Sequence, residues 1–200
     1  MTAAINGKPA LSFDGSNDMF RVDNNVEINS AGPYLTRTLV VAFKTNTNVT
    51  NRQVLWEEGD NVRGMNLYID QGQVYANVWN LVDDDGGATT PFGPAFVSGP
   101  VALDTVYVVM VVLSSDSDDL DLYINGTLVS STSNVGRLFS HVGKIGVGGI
   151  WSQTYFHDAT SATSGKYFKG HIAELLMLNS ILPSDDRDQL EAYFHAKYNN

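Results

Sequence analysis

Apolar residues occur along the chain in short runs, and clusters of Gly, Asn, Asp and Pro separate these runs. Runs of this length and spacing predict β-strands joined by turns. Residues 105–113 are apolar at nearly every position, which predicts a central strand that is buried on both faces. Asn125-Gly126 lies between two further runs and predicts a tight hairpin, because a type I′ turn needs positive φ at both central residues.

Helical spacing occurs in one segment near the C-terminus, where Leu190, Phe194 and Tyr198 recur every four residues. Ser184 can cap this segment, and the two Asp residues that follow it favour a helix N-terminus. We therefore expect a helix over residues 184–197. Many strands without alternating helices predict an antiparallel two-sheet sandwich or jelly roll.

The composition is that of a globular protein, with 43% hydrophobic and 17% charged residues. The net charge of −10 disfavours nucleic acid as a partner. No apolar run is long enough to span a bilayer, so we expect no membrane insertion. The absence of cysteine excludes disulfides and thiolate metal sites. Because no linker divides the sequence, we expect one lectin-like jelly-roll domain over residues 1–200, excised from a larger protein.

Three segments, in order along the chain, carry a family resemblance: Ala-Leu-Ser-Phe-Asp-Gly-Ser-Asn-Asp at 10–18, Leu-Tyr-Ile-Asn-Gly at 122–126, and Phe-Lys-Gly-His-Ile-Ala-Glu-Leu at 168–175 with the helix that follows. They resemble the opening strand pair, the middle hairpin, and the closing strand and helix of laminin-G-like domains in the concanavalin A-like lectin and glucanase superfamily. The resemblance implies a two-sheet jelly roll, frequent calcium, and frequent binding of glycans or glycoconjugates.

The hairpin over residues 65–79 is the main candidate for a ligand surface. If Gln71-Gly72 is its turn, Tyr68 pairs with Tyr75, and alternate residues face opposite sides of the sheet. One face is aliphatic and predicts core. The other face combines aromatic rings, amides and a carboxylate, which suits sugars, and comprises Asn66, Tyr68, Asp70, Tyr75, Asn77 and Trp79. The alternative is that the two tyrosines are merely a stabilising cross-strand pair.

Two long segments, residues 83–99 and 151–169, are predicted to be irregular, and long loops often carry function. The second segment contains several aromatic residues that either plug the end of the sandwich or await a partner. Asp83, Trp151, Tyr155 and His157 are therefore further ligand candidates. We expect ring stacking by Tyr75, Trp79 and Trp151 to supply the affinity.

Calcium is the predicted cofactor. Asp14, Asn17 and Asp18 place three oxygen-bearing side chains within five residues, and calcium takes about six to eight oxygen ligands, which can include backbone carbonyls and water. The alternative is an ordinary Asx turn, in which these side chains bond their own backbone. The acidic run at 83–85 is a second candidate.

Catalysis is not expected. The glucanase branch of the superfamily carries Glu-x-Asp-x-x-Glu on one strand, and this motif does not occur in the sequence. Glu57 and Glu58 are adjacent, so a strand would direct them to opposite faces. Glu174 is the one carboxylate predicted to face inward or into a groove. The four histidines are too dispersed to predict a zinc site.

The sequence as a whole predicts a calcium-supported glycan-binding module of a secreted or cell-surface protein, such as a bacterial adhesin, joined to neighbouring domains. The alternatives are a protein-binding adhesion module and a structural spacer, and a glycoside hydrolase is less favoured.

Overall fold

The computed structural model describes residues 3–83 and 90–198. The strands are, in chain order, β1 (Ala3–Ile5), β2 (Lys8–Pro9), β3 (Leu11–Asp14), β4 (Phe20–Val22), β5 (Thr36–Thr45), β6 (Gln53–Gly59), β7 (Arg63–Asp70), β8 (Gln73–Asn80), β9 (Phe92–Pro100), β10 (Val106–Ser114), β11 (Asp119–Ile124), β12 (Thr127–Ser133), β13 (Ile145–Val147), β14 (Thr154–Tyr155), β15 (Ser161–Ala162) and β16 (Lys169–Leu178). A helix, α1 (Ser184–Tyr198), follows the last strand.

Two six-stranded antiparallel sheets form the sandwich, and β1-β2 and β14-β15 form two further two-stranded sheets. The helix sheet has the order β12-β11-β10-β5-β16-β3, and α1 packs on its outer face. The loop sheet has the order β4-β13-β6-β7-β8-β9. This is the antiparallel jelly-roll sandwich of the concanavalin A-like type, closed by a C-terminal helix, as the sequence predicts.

The core lies between the sheets and follows from alternation along each strand. Val109 and Val111 of β10 face the other sheet, where Leu67 and Ile69 belong to the same apolar cluster. The intervening residues of β10 point outward and form a second cluster with α1. Strand β10 is therefore central and buried on both faces, which confirms the prediction from its continuous apolar run.

Both predicted hairpin turns have the backbone that a type I′ turn requires. Gln71 and Gly72 have φ values of 49° and 78°, and Asn125 and Gly126 have φ values of 48° and 82°. The first turn sets the register of β7 and β8, in which Tyr68 lies opposite Tyr75 as predicted.

The structure differs from the prediction in the pairing of β3 and β4 and in the strand content of the segment 83–99. Strands β3 and β4 flank the turn at Asp14 but do not pair with each other: β3 pairs with β16 in the helix sheet, and β4 pairs with β13 in the loop sheet. Strand β9 occupies residues 92–99 of the segment 83–99 that was predicted to be irregular. Gly93 and Pro94 obscure it in the sequence, but an edge strand tolerates proline.

Helix α1 ends one residue beyond its predicted limit. Within the described parts of the chain, no helix combines the length and the apolarity needed to cross a membrane.

Candidate functional site

The outer face of the loop sheet is partly covered by residues 150–165, here called the covering loop. Buried amides attach this loop to the sheet. Asn66 Nδ2 donates hydrogen bonds to Thr154 Oγ1 at 2.8 Å and to the Tyr155 carbonyl at 2.9 Å. Asn77 Nδ2 donates to the same carbonyl at 2.7 Å. Both asparagines are fully buried, so their amide nitrogens hold the loop and not a ligand.

Two of the predicted ligand-binding rings are also buried. Trp79 is 0% exposed, and its indole N–H donates to the Asp60 carbonyl at 2.9 Å. Tyr68 is 0% exposed; its hydroxyl lies 2.6 Å from His157 Nδ1, and burial raises the pKa of this phenol. The predicted face of β7 and β8 is therefore correct, but the expectation that Trp79 and Tyr68 are open to a ligand is wrong, because the covering loop occupies that space.

Three rings remain accessible at the β8–β9 edge and are here called the aromatic platform: Tyr75, Phe96 and His157. The rings of Tyr75 and His157 stack with centroids 4.1 Å apart and an interplanar angle of 9°. Phe96 meets His157 edge-on at 5.3 Å and is 40% exposed. Desolvation lowers the pKa of His157, which favours its neutral form. The platform thus presents uncharged rings along the open edge of the sheet.

A charged cluster borders the platform, with Arg52 at its centre. Arg52 Nε and Nη2 donate to Asp70 Oδ2 at 2.9 and 2.6 Å. Nη1 and Nη2 donate to the Asp158 carboxylate at 3.3 and 2.9 Å, and Nη1 also donates to Thr160 Oγ1 at 2.9 Å. The hydrogen bonds from Arg52 hold the pKa of Asp158 well below its usual range. Asp70, a predicted ligand residue, is therefore an ion-pair partner that is 6% exposed.

Trp151 lies at the other end of the same face. Its ring centroid is 4.3 Å from Lys144 Nζ and 5.2 Å from the Arg21 guanidinium carbon. These three residues are here called the cationic patch. Tyr155 lies between the two ends, with its ring 6.3 Å from that of Trp79. The aromatic residues of the covering loop are thus spread across the sheet and do not form one site.

Glu57 is a buried carboxyl that the sequence did not single out as functional. It lies opposite Asn66 on the outer face, and its Oε1 accepts the Trp151 backbone N–H at 3.0 Å. Burial raises its pKa to about 8. Glu58 points the opposite way, as predicted from the alternation of a strand, and it forms a buried ion pair with Arg37.

Arg52 and Phe96 were also missed. Arg52 finds its carboxylate partners 18 and 106 residues away, so no local pattern marks it. The sequence indicates the exposure of Phe96 only weakly, through its alternation with Val97, which is buried in β9.

The turn at Asp14 has the hydrogen bonds of an Asx turn. Asp14 Oδ1 accepts the backbone N–H groups of Ser16 at 2.7 Å and Asn17 at 3.2 Å, and these bonds lower the pKa of Asp14. Asp18 Oδ2 accepts the Asp14 N–H at 3.1 Å. Calcium at Asp14, Asn17 and Asp18 stays a prediction. Within residues 3–83 and 90–198, no group of three or more His, Cys, Asp or Glu could hold a metal ion.

Two further carboxylates from the sequence analysis lie away from the platform. Asp83 is exposed beyond the end of β8, far along the strand from Tyr75, and the other acidic residues of its run lie outside the described residues. Glu174 was predicted to face inward or into a groove. It accepts a hydrogen bond from Tyr193 at 3.2 Å and contacts Lys197 and Tyr198, so it joins β16 to α1.

No model of a protein family matches the sequence, and no curated protein matches it. Several solved structures resemble this chain in fold. The CBM40 of the Ruminococcus gnavus IT-sialidase, bound to α2,3-sialyllactose, aligns with a TM-score of 0.63 at 17% identity over 94% of this chain and 97% of that one. The receptor-binding domain of botulinum neurotoxin C/D mosaic serotype gives 0.67 at 14% identity, over 96% and 44%. A SAP-like pentraxin from Limulus polyphemus gives 0.58 at 14%, over 90% and 80%. At these identities the likeness establishes the fold alone.

Proposed function

We propose that this chain is a carbohydrate-binding module of a secreted or cell-surface protein, such as a bacterial adhesin, and that it binds glycans on the aromatic platform. One observation carries the proposal: Tyr75, Phe96 and His157 form an accessible cluster of uncharged rings beside a carboxylate-rich rim. Sugars present apolar C–H faces and hydroxyl groups together. Rings that offer apolar contact and carboxylates that accept hydroxyl protons match both parts.

The likeness to a solved structure also supports the proposal. A domain of similar architecture, the CBM40 of the Ruminococcus gnavus sialidase, has been solved with a bound sialylated sugar. Because one fold carries many different sites, this likeness raises the expectation of glycan binding without identifying the sugar. The choice of the platform rests on the geometry of this chain.

A glycan array probed with the purified protein tests the proposal, in parallel with Phe96→Ala. We expect the wild type to bind a defined set of glycans and the variant to bind the same glycans about tenfold more weakly. Leu128→Ala is the matched control, because Leu128 is 50% exposed on β12 in the other sheet. It should bind as the wild type does. A wild-type array without signal, in millimolar calcium and without it, would exclude the proposal and favour the protein-binding or spacer alternatives.

Calcium support is the finer part of this proposal. A cation that binds the folded state alone raises the melting temperature by mass action. We therefore expect calcium to raise the melting temperature relative to chelator if the turn at Asp14 ligates it, and Asp18→Asn should reduce the shift. Equal melting temperatures in calcium and in chelator would exclude calcium as a ligand of this turn. The proposed glycan site on the platform would be unaffected.

A further inference from the structure

We infer that the aromatic platform selects uncharged sugars and disfavours sugars that carry a carboxylate. This inference rests on the proposed function, because it assigns a ligand class to the same surface. It separates this chain from the structurally similar sialidase CBM40, which was solved with a sialylated ligand.

The first step concerns the hydrogen-bonding capacity of Arg52. An arginine side chain has five N–H donors and no acceptor. Arg52 makes five side-chain hydrogen bonds, two to Asp70, two to Asp158 and one to Thr160. Its guanidinium also lies 4.3 Å from the Phe156 ring centroid. Every donor of Arg52 is therefore already engaged, and a ligand carboxylate could bind Arg52 only by displacing a carboxylate of Asp70 or Asp158 or the hydroxyl of Thr160.

The second step concerns charge. Two carboxylates, Asp70 and Asp158, border the platform against the single guanidinium of Arg52. Desolvation lowers the pKa of His157, so this ring contributes no compensating charge at neutral pH. Lys166 lines a neighbouring surface pocket together with Arg52 and Asp70, whereas the charged groups that act on the rings of His157 and Tyr75 are Asp158, Asp70 and Arg52. An anionic ligand on the platform would therefore meet a rim of its own sign, and like charges brought together lower affinity.

The third step concerns the hydrogen bonds that the carboxylates beside the platform can accept. The Asp158 side chain is 39% exposed, so its carboxylate is accessible while it remains paired with Arg52. A carboxylate accepts hydrogen bonds and donates none. The hydroxyl groups of a neutral sugar are suitable donors, and the exposed ring of Phe96 can cover the apolar face of the same sugar.

The cationic patch is the place on this face where an anionic sugar would be expected instead. Arg21 on β4 is four strand positions from β8, which is roughly 19 Å at the usual spacing between strands. A single sugar ring bound on the platform would not reach Arg21. The two ends of the face can therefore be tested separately.

The experiment compares matched ligands on a glycan array and by titration: uncharged oligosaccharides, including lactose, and the same oligosaccharides capped with sialic acid. We expect the uncharged member of each bound pair to bind at least about tenfold more tightly than the sialylated member. Phe96→Ala should weaken the binding of the uncharged member by about tenfold. Asp158→Asn, which removes one charge and releases Arg52 donors, should narrow this ratio several-fold.

The outcomes separate the inference from the proposed function. Tighter binding of the sialylated members that depends on Phe96 would overturn the inference and leave glycan binding on the platform intact. Sialylated binding that is lost in Arg21→Ala and retained in Phe96→Ala would overturn it by placing the site at the cationic patch. No binding to either class would exclude the proposed function itself. A melting curve for each variant confirms that it is folded.

Discussion

The two ends of the loop sheet's outer face differ in their charged groups. At the aromatic platform, the neighbouring guanidinium of Arg52 is paired with two carboxylates, and aromatic rings are exposed. At the cationic patch, the two cations Arg21 and Lys144 lie against the ring of Trp151, and one carboxylate, that of Asp23, lies 3.3 Å from Lys144 Nζ. Between them, the buried amides of Asn66 and Asn77 hold the covering loop. The covering loop thus divides one continuous sheet face into two chemically different surfaces, and a ligand's charge should decide which of them it uses.

The largest effect on stability is expected for a substitution in the middle of the face, under the covering loop. Trp79→Ala removes a fully buried ring and a hydrogen bond to the Asp60 carbonyl, so it should lower the free energy of unfolding by about 3–5 kcal/mol. Chemical denaturation measures this loss. A Trp79→Ala protein of native stability that no longer bound glycan would place Trp79 in the ligand site and break the division into two ends.

The next effect concerns the pH dependence of stability at Glu57. Its pKa is raised from 4.5 to about 8 in the folded protein, so the folded state binds more protons than the unfolded state between these values. The contribution of Glu57 to stability should therefore fall by up to about 1.4 kcal/mol per pH unit as pH rises from about 4.5 to 8, and it should be constant above that range.

Glu57→Gln keeps an acceptor for the Trp151 N–H and removes the titration. Denaturation across this pH range should give a flatter profile for the variant than for the wild type. Parallel profiles for the two proteins would show that Glu57 is ionised in the fold at neutral pH.

Phe96→Ala should weaken the binding of an uncharged glycan by about tenfold, because stacking contributes on the order of 1 kcal/mol and the variant also loses apolar contact area. Isothermal titration measures the change. The free energy of unfolding should alter little, since Phe96 is 40% exposed on an edge strand. Unchanged affinity would remove the platform from the ligand site.

The smallest effect is expected for Trp151→Ala, with less than about twofold change in the affinity for an uncharged glycan, because its ring belongs to the cationic patch. The same titration provides the comparison with Phe96→Ala. A larger loss in Trp151→Ala than in Phe96→Ala would reverse the roles of the two ends.

Local patterns in the sequence predicted most of the architecture. The alternation in residues 65–79 and the turn at Gln71-Gly72 were sufficient to predict the register of β7 and β8 and the face that each residue occupies. The continuous apolar run of β10 predicted a strand buried on both faces. The helical spacing predicted α1 to within one residue at its end.

The site was only partly predictable, because its formation depends on contacts between distant segments. Asn77 meets the Tyr155 carbonyl 78 residues further along the chain, and nothing local to the hairpin indicates that a loop will cover it. Arg52 is likewise neutralised by a carboxylate 106 residues away. Tyr75 and His157 were identified in advance, whereas Phe96 was hidden in a segment whose Gly93 and Pro94 suggested a loop.

Aromatic carbon–proton NMR spectra, recorded while the strongest-binding uncharged glycan from the array is added, test the central claim most directly. We expect the ring signals of Tyr75, Phe96 and His157 to shift with increasing glycan while those of Trp151 stay in place. Shifts confined to Trp151, or no ring shifts at saturating glycan, would contradict binding on the platform.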